Sequence, residues 1–174
     1  CGFDQCASGH AYGPAVRSGY LIHLILNGKG IYRVNGQEYH LGKNDGFIIY
    51  PDELIYYEAD KTDPWEYIWV GLTGTKVNDY LRYSSLTKEN PTFTVNETSH
   101  IYSAMHHITE ATKLPTHKNL KILSELYQFL YLLLEEFPKE ADEIVITPKM
   151  YVEEALIYIQ SHYQEELSVQ KISE

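Results

Sequence analysis

Aromatic side chains that carry a polar group are the most prominent chemical feature of this sequence, which has 16 tyrosines and two tryptophans in 174 residues. Tyr67 and Trp69 are two positions apart in WEYIWV, so they share one face if this segment is a strand. Tyr57 lies in the preceding apolar segment, LIYYEA. An indole ring edged by phenol hydroxyls suits a sugar, because the ring stacks on the apolar face of a pyranose while hydroxyl groups form hydrogen bonds. The alternative is that these rings only fill a core.

The histidines lack the spacing of a metal site. A divalent ion on a small β-barrel needs three or four converging ligands, such as a His-x-His pair with a Glu and a distant His. His10, His23 and His40 stand alone, and the position where a pair would fall reads IYYE. His106 and His107 are adjacent on a predicted helix, so their side chains point about 100° apart, which is a poor geometry for binding one ion. The sequence therefore predicts no metal and no cofactor, and His23 is kept only as a candidate ligand contact.

Other chemistry-bearing groups are equally sparse. Cys1 and Cys6 form no disulfide framework, lack partner ligands for zinc, and are predicted to be reduced thiols of a cytoplasmic protein. The chain has no G-x-S-x-G elbow, no P-loop and no G-x-G-x-x-G turn. Nothing in the sequence indicates an enzyme. No apolar run is long enough for a transmembrane helix, and no signal peptide is visible.

The charge balance is acidic, with 24 Asp and Glu against 14 Lys and Arg, for a net charge of −10. Binding to a nucleic acid backbone requires clustered basic residues that replace counterions. The composition therefore argues against a DNA-binding surface on this chain.

The first half of the chain has the pattern of an antiparallel β-structure. Short segments rich in Val, Ile and Tyr alternate with turn sequences from residue 20 to residue 72, and Asn35-Gly36 is a strong hairpin signal. Strands of five to seven residues at this spacing predict a sandwich or small barrel over residues 1–74, with a possible return strand near 92–95.

The second half has helical periodicity. Asn96 is predicted to cap a helix that carries Ile101 and Met105. The clearest helix covers about 118–137 and has two apolar stripes, where one would suffice for docking on its own sheet. One of them has heptad-like spacing and is predicted to form a dimer interface, unless it is buried within its own chain: Leu120, Leu123, Tyr127, Leu130 and Leu134. Helix restarts at Thr147-Pro148.

Residues 9–74 resemble the sensor domain of the AraC/XylS family of bacterial transcription regulators, in particular members that control oligosaccharide and glycoside uptake. The ordered series GPAVR, YLIH, NGKG, the hairpin, YPDE and PWEYIWVG carries the resemblance. It implies an α+β fold, with an antiparallel cupin-like β-barrel of jelly-roll type followed by a helical dimerisation region at 75–138. The polar, acidic segment that follows Pro138 is predicted to be a linker, over residues 139–147.

The resemblance places the sugar contacts on Trp69, Tyr67 and Tyr57. The arginine of the arabinose sensor falls on Gly13 by counting, so Arg17 in GPAVR is the expected substitute. The dimer contacts fall on the seam already described. Residues 148–174 resemble the opening of the family's helix-turn-helix DNA-binding domain, with Ser168 capping the second helix and the recognition helix missing.

These observations predict the effector-binding and dimerisation part of a sugar-responsive regulator. Its expected partners are a sugar effector, such as an oligosaccharide or galactoside, and a second copy of the chain, with DNA contacted only through the missing C-terminal domain and no membrane. Two alternatives stay open. One is a cupin-type sugar enzyme of isomerase kind, which a stoichiometric metal would favour. The other is a purely structural dimerisation module with a filled barrel.

Overall fold

The computed structural model describes residues 1–74, 76–140, 148–164 and 168–173. They belong to two compact units, Cys1–Lys139 and Glu140–Glu174. Nine strands and three helices lie in the first unit: β1 Gly2–Gln5, β2 Ala11–Val16, β3 Tyr20–Asn27, β4 Lys29–Val34, β5 Gln37–Gly42, β6 Asp45–Ile49, β7 Leu54–Ala59, β8 Glu66–Leu72, α1 Val77–Leu81, β9 Thr92–Thr94, α2 Ile101–Ala111 and α3 Lys118–Glu136.

The strands form two antiparallel sheets with the strand order of a jelly roll. One sheet has the order β1-β8-β3-β6-β9, and the other has the order β2-β7-β4-β5. The chain thus crosses between the sheets at most connections, as in a jelly roll, while β4 and β5 form a hairpin within one sheet. The predicted α+β class, with an antiparallel jelly roll followed by helices, is confirmed. The described strands pair as two separate sheets, so the β-structure is a sandwich and not a closed barrel.

Alternation along the strands divides the core into two layers. In β3, Ile22 and Leu24 face the helices, where they pack with Met105 of α2 and Leu133 of α3. Ile25 faces the other sheet and packs with aromatic residues from both sheets. Period-two alternation therefore gives the five-stranded sheet one helix-covered face and one face that lines the sandwich interior.

The second unit contains α4, Pro148–His162, and α5, Val169–Ser173. The Ser168 hydroxyl accepts a hydrogen bond from the Lys171 backbone N–H at 3.3 Å, in the geometry predicted for a cap. Most of the predicted linker at 139–147, including Thr147, lies outside the described residues. No helix in the described part of the chain is long and apolar enough to cross a membrane.

Candidate ligand-binding site

One row of side chains crosses the interior face of the five-stranded sheet. The register pairs Trp69 of β8 with Gly2 of β1 on one side and with His23 of β3 on the other. His23 is paired in turn with Phe47 of β6. Tyr67 lies two residues before Trp69 and therefore points to the same interior side. Strand register thus assembles residues that are far apart in the sequence.

A row of four tyrosines crosses the facing sheet. Tyr57 of β7 pairs with Tyr12 of β2 and with Tyr32 of β4, and Tyr32 pairs with Tyr39 of β5. The rings of Tyr12 and Tyr57 stack with centroids 5.4 Å apart, and those of Tyr32 and Tyr39 stack at 6.1 Å. Only Tyr57 was singled out by sequence. The others become recognisable once the pairing of the strands is known.

His23 is enclosed by aromatic rings from both sheets. Its ring stacks on Phe47 with centroids 4.5 Å apart, and it lies 5.6 Å from the Tyr57 ring and 5.2 Å from the Tyr67 ring. Burial, followed by the positive charge of Arg17, lowers the pKa of His23 to about 3. The imidazole is therefore neutral at physiological pH, with one nitrogen that donates and one that accepts.

Arg17 enters the same environment from the end of β2. Its guanidinium carbon lies 4.2 Å from the centroid of the Tyr12 ring, which stacks on Tyr57. Within the described residues, the buried Arg17 Nε and His23 Nδ1 have no hydrogen-bond partner. An unpaired buried polar group costs about 1–3 kcal/mol, so two such groups at one site indicate a place built for a polar partner.

The two candidate tyrosines are buried hydroxyl donors. Tyr57 and Tyr67 are 6% and 4% exposed. Burial is the first cause that raises the pKa of each phenol, so both stay protonated. The Tyr67 hydroxyl also lies 3.4 Å from a carboxylate oxygen of Asp4 in β1.

Trp69 lies at the side of this cluster that β1 covers. It is partly buried and packs against the interior core. A Cβ added at Gly2 would lie 3.0 Å from the indole nitrogen, so the glycine lets the two strands approach closely. The structure thus brings His23, Tyr57 and Tyr67 into ring contact, with Arg17 joined through Tyr12 and Trp69 beside His23.

The predicted interface residues on α3 fall into two groups. Leu120, Leu123 and Tyr127 are 73%, 50% and 58% exposed, and Tyr131, one turn further, is 55% exposed. Leu130 is buried in the core of its own chain, and Leu134 is half-buried. We refer to Leu120, Leu123, Tyr127 and Tyr131 as the exposed α3 stripe.

Metal-ligating side chains converge at one place within the described residues. Asp4, Cys6 and His10 bring ligand atoms within 4.8 Å of one another. This trio lies at β1 and the turn after it, next to Tyr67. Sequence inspection did not find it, because it contains no pair of histidines.

A known protein family accounts for this arrangement of sandwich and helices. The family described as "AraC-like ligand binding domain" matches residues 1–130. The chain belongs to this family. The matched region contains all nine strands of the jelly roll, with its interior aromatic cluster, together with α1, α2 and the first part of α3.

Curated relatives of the chain are operon regulators, among them the lactose operon transcription activator of Staphylococcus xylosus, which is 24% identical over 99% of this chain and 63% of its own length. The Msm operon regulatory protein of Streptococcus mutans is 35% identical over 99% of this chain and 63% of its own length. The raffinose operon transcriptional regulatory protein RafR of Pediococcus pentosaceus is 29% identical over 93% of this chain and 60% of its own length. The chain therefore spans about three fifths of these AraC-type relatives.

A solved structure supports the fold across nearly the whole chain. Apo ToxT from Vibrio cholerae matches 98% of this chain and 67% of its own, with a TM-score of 0.54 and 10% identity. At this identity the likeness shows the fold alone.

Proposed function

We propose that this chain is the effector-binding and dimerisation region of a sugar-responsive transcriptional regulator. The ligand contacts are Trp69, Tyr67, Tyr57, Arg17 and His23, inside the sandwich. The observation that carries the proposal is the pair of unpartnered buried nitrogens, Arg17 Nε and His23 Nδ1, set among aromatic rings.

A sugar is the ligand class that this chemistry fits. Tyr12, Tyr57 and Trp69 offer aromatic faces, and the neutral His23 and protonated Tyr67 offer hydrogen-bond donors. Arg17 adds a fork of N–H donors that suits hydroxyl or acidic groups. The names of the lactose and raffinose operon regulators among the relatives support an oligosaccharide or galactoside effector.

A homodimer through the exposed α3 stripe is the second part of the proposal. Four large apolar or aromatic side chains at spacings of three and four form a seam on a 19-residue helix. The other apolar stripe of α3, which includes Phe129 and Leu133, already packs on the chain's own core. The exposed stripe is therefore left for a partner helix.

DNA binding, and with it the regulation of transcription, is assigned to the part of a longer protein that lies beyond this chain. In this proposal, residues 1–74 bind ligand, 75–138 dimerise, 139–147 link, and 148–174 begin a helix-turn-helix domain. A ligand changes regulation only if it binds two arrangements of the protein with different affinity. The chain has no catalytic role in this account, and its cytoplasmic location follows from its work on DNA.

A thermal-shift screen tests the ligand class. A ligand that binds the folded state raises Tm by mass action, so raffinose, melibiose or lactose is expected to raise Tm in a saturable way. Sorbitol at the same molarity is the control, because any excluded osmolyte stabilises proteins without binding. Shifts no larger than that of sorbitol for every sugar would argue for the structural module with a filled interior.

A further inference from the structure

Three side chains of different ligand chemistry converge where the first strand ends. A carboxylate oxygen of Asp4, Sγ of Cys6 and a ring nitrogen of His10 all lie within 4.8 Å of one another. Cys6 is buried, Asp4 is half-buried and His10 is exposed. The proposed sugar site uses none of the three.

The backbone fixes the position of each of these residues independently. Asp4 is held by the pairing of β1 with Tyr67 of β8, and the Cys6 N–H donates to the Trp65 carbonyl at 2.9 Å. The His10 carbonyl accepts from the Ala59 N–H at 2.9 Å. Asp4 and Cys6 are two positions apart on an extended segment, so their side chains share one face.

A tight turn then brings the histidine back to that face. The His10 N–H donates to the Ala7 carbonyl at 3.0 Å, and Gly9 has a φ of +64°. The Ser8 hydroxyl donates to the Lys61 carbonyl at 2.6 Å, which ties the turn to the body of the sandwich. The spacing Asp-x-Cys-x-x-x-His is thus converted into a cluster by local structure.

We propose that Asp4, Cys6 and His10 form a binding site for a divalent transition metal ion, with zinc as the best fit. Zinc accepts carboxylate, thiolate and imidazole ligands at about 2.0–2.3 Å, which places ligand atoms roughly 3.3–3.7 Å apart in a tetrahedron. The ligand atoms lie within 4.8 Å of one another, so they reach that spacing by at most about 1.5 Å of side-chain movement, which the exposed His10 side chain can supply. Water fills the fourth position.

The surroundings suit such an ion. A thiolate and a carboxylate balance the two positive charges of the metal, in a chain whose net charge is −10. The Tyr67 hydroxyl lies 3.4 Å from Asp4 Oδ2, where it orients the carboxylate from outside the coordination sphere.

A bound ion would cross-link β1 to the turn that follows it, beside the strand that carries Tyr67 and Trp69. It would therefore stabilise the wall of the sandwich that covers Trp69. The site adjoins one proposed sugar contact, Tyr67, but none of its three ligands belongs to that set, and its test requires no sugar.

Cobalt(II) titration of the whole chain tests the site, because a cobalt–thiolate bond gives charge-transfer absorption in the near ultraviolet. The parent protein and Cys1→Ser, which keeps Cys6 as its one thiol, are expected to bind one cobalt per chain, displaced by zinc. Cys6→Ser is expected to lose the absorption. His10→Ala, at an exposed position, is expected to weaken binding by about tenfold or more. His106→Ala, at an exposed helix position, is the matched control and should bind as the parent does.

Several results would overturn the proposal: no saturable one-to-one binding by the folded parent, absorption that survives Cys6→Ser, or unchanged affinity in His10→Ala. Circular dichroism monitors folding of each variant. If the buried Cys6→Ser variant fails to fold, His10→Ala and Asp4→Asn decide the outcome. A sugar response without metal binding would leave the proposed function standing and remove this site. Metal binding without a sugar response would keep this site, argue against the proposed function and favour the cupin-type enzyme.

Discussion

His23 shows at the scale of a single residue how the site differs from an ordinary core. Its imidazole fills the space of an apolar ring against Phe47 and Tyr57, yet Nδ1 has no partner among the described residues. Phe at this position would keep the stacking and remove an unpaired polar atom. A chain selected only for stability would be expected to prefer it, so the histidine is consistent with a binding role.

The low pKa of His23 predicts a specific pH dependence of stability. Its folded-state pKa of about 3 lies below its ordinary value of 6.5, so between these values the unfolded chain binds a proton that the folded chain does not. Stability therefore falls as pH drops through this window, by up to about 1.4 kcal/mol per pH unit from this group. His23→Phe should lose that component of the slope and gain about 1 kcal/mol at pH 7.

Urea denaturation of both proteins between pH 4 and 7 would check this expectation, with His40→Phe, at an exposed strand position, as the control. An unchanged slope in His23→Phe would mean that the imidazole is solvated and protonated in the folded state. The same variant should bind sugar more weakly than the parent despite its greater stability.

At the scale of the elements, β4 depends on a close approach that only glycine permits. A Cβ at Gly30 would lie 2.4 Å from the Glu58 carbonyl oxygen and 2.7 Å from the fully buried Trp65 ring. Gly30→Ala is therefore expected to cost about 1–3 kcal/mol through overpacking. Gly42→Ala, whose Cβ would be 3.7 Å from its nearest neighbour, should stay within about 0.5 kcal/mol of the parent. Equal effects of the two substitutions in urea denaturation would contradict this reading of β4.

The exposed α3 stripe predicts how the proposed dimer responds to substitution. Leu123→Asp places a charge in the middle of the stripe and should convert the dimer into a folded monomer, measured by analytical ultracentrifugation. Gln128→Asp adds the same charge at an exposed α3 position outside the stripe and should leave the dimer intact. A monomeric parent, or a Leu123→Asp variant that stays dimeric, would rule out this interface.

The sequence patterns predicted which segments form strands and helices better than they predicted where each one begins or what it packs against. Alternation and turn residues indicated the strands, and the two stripes of α3 indicated one docked face and one free face. The predicted cap at Asn96 was wrong, since α2 begins at Ile101 and the Ser99 hydroxyl accepts from the Ile101 N–H at 3.1 Å. Asn96 instead accepts from the Thr98 N–H in a turn. Several polar residues in a row offer competing caps, and packing of the helix decides among them.

The site itself was only partly predictable. Tyr67 and Trp69 share a strand, so alternation alone places them on one face. Tyr12 contacts Tyr57 through a strand pairing that spans 45 positions of sequence, and the metal-ligating trio depends on a turn at Gly9. Such groupings follow from register and loop geometry, which hydrophobic periodicity does not specify.

In the whole molecule, ligand binding and DNA reading are proposed to belong to different parts of the chain. The chain covers about three fifths of its curated relatives and carries a net charge of −10. Phosphate contacts depend on clustered cations, so this chain alone is expected to bind duplex DNA no more tightly than an acidic control protein. A gel-shift experiment at low salt would check this, and tight, salt-dependent binding would contradict it.

The proposed function depends above all on whether the aromatic interior of the sandwich binds a sugar. Isothermal titration calorimetry of the chain with raffinose, melibiose and related galactosides, repeated on Trp69→Ala, measures this binding. We expect saturable binding of one sugar per chain, abolished in Trp69→Ala while that variant remains folded and dimeric. Absence of binding by every sugar to a folded parent, or loss of fold together with binding in Trp69→Ala, would contradict it.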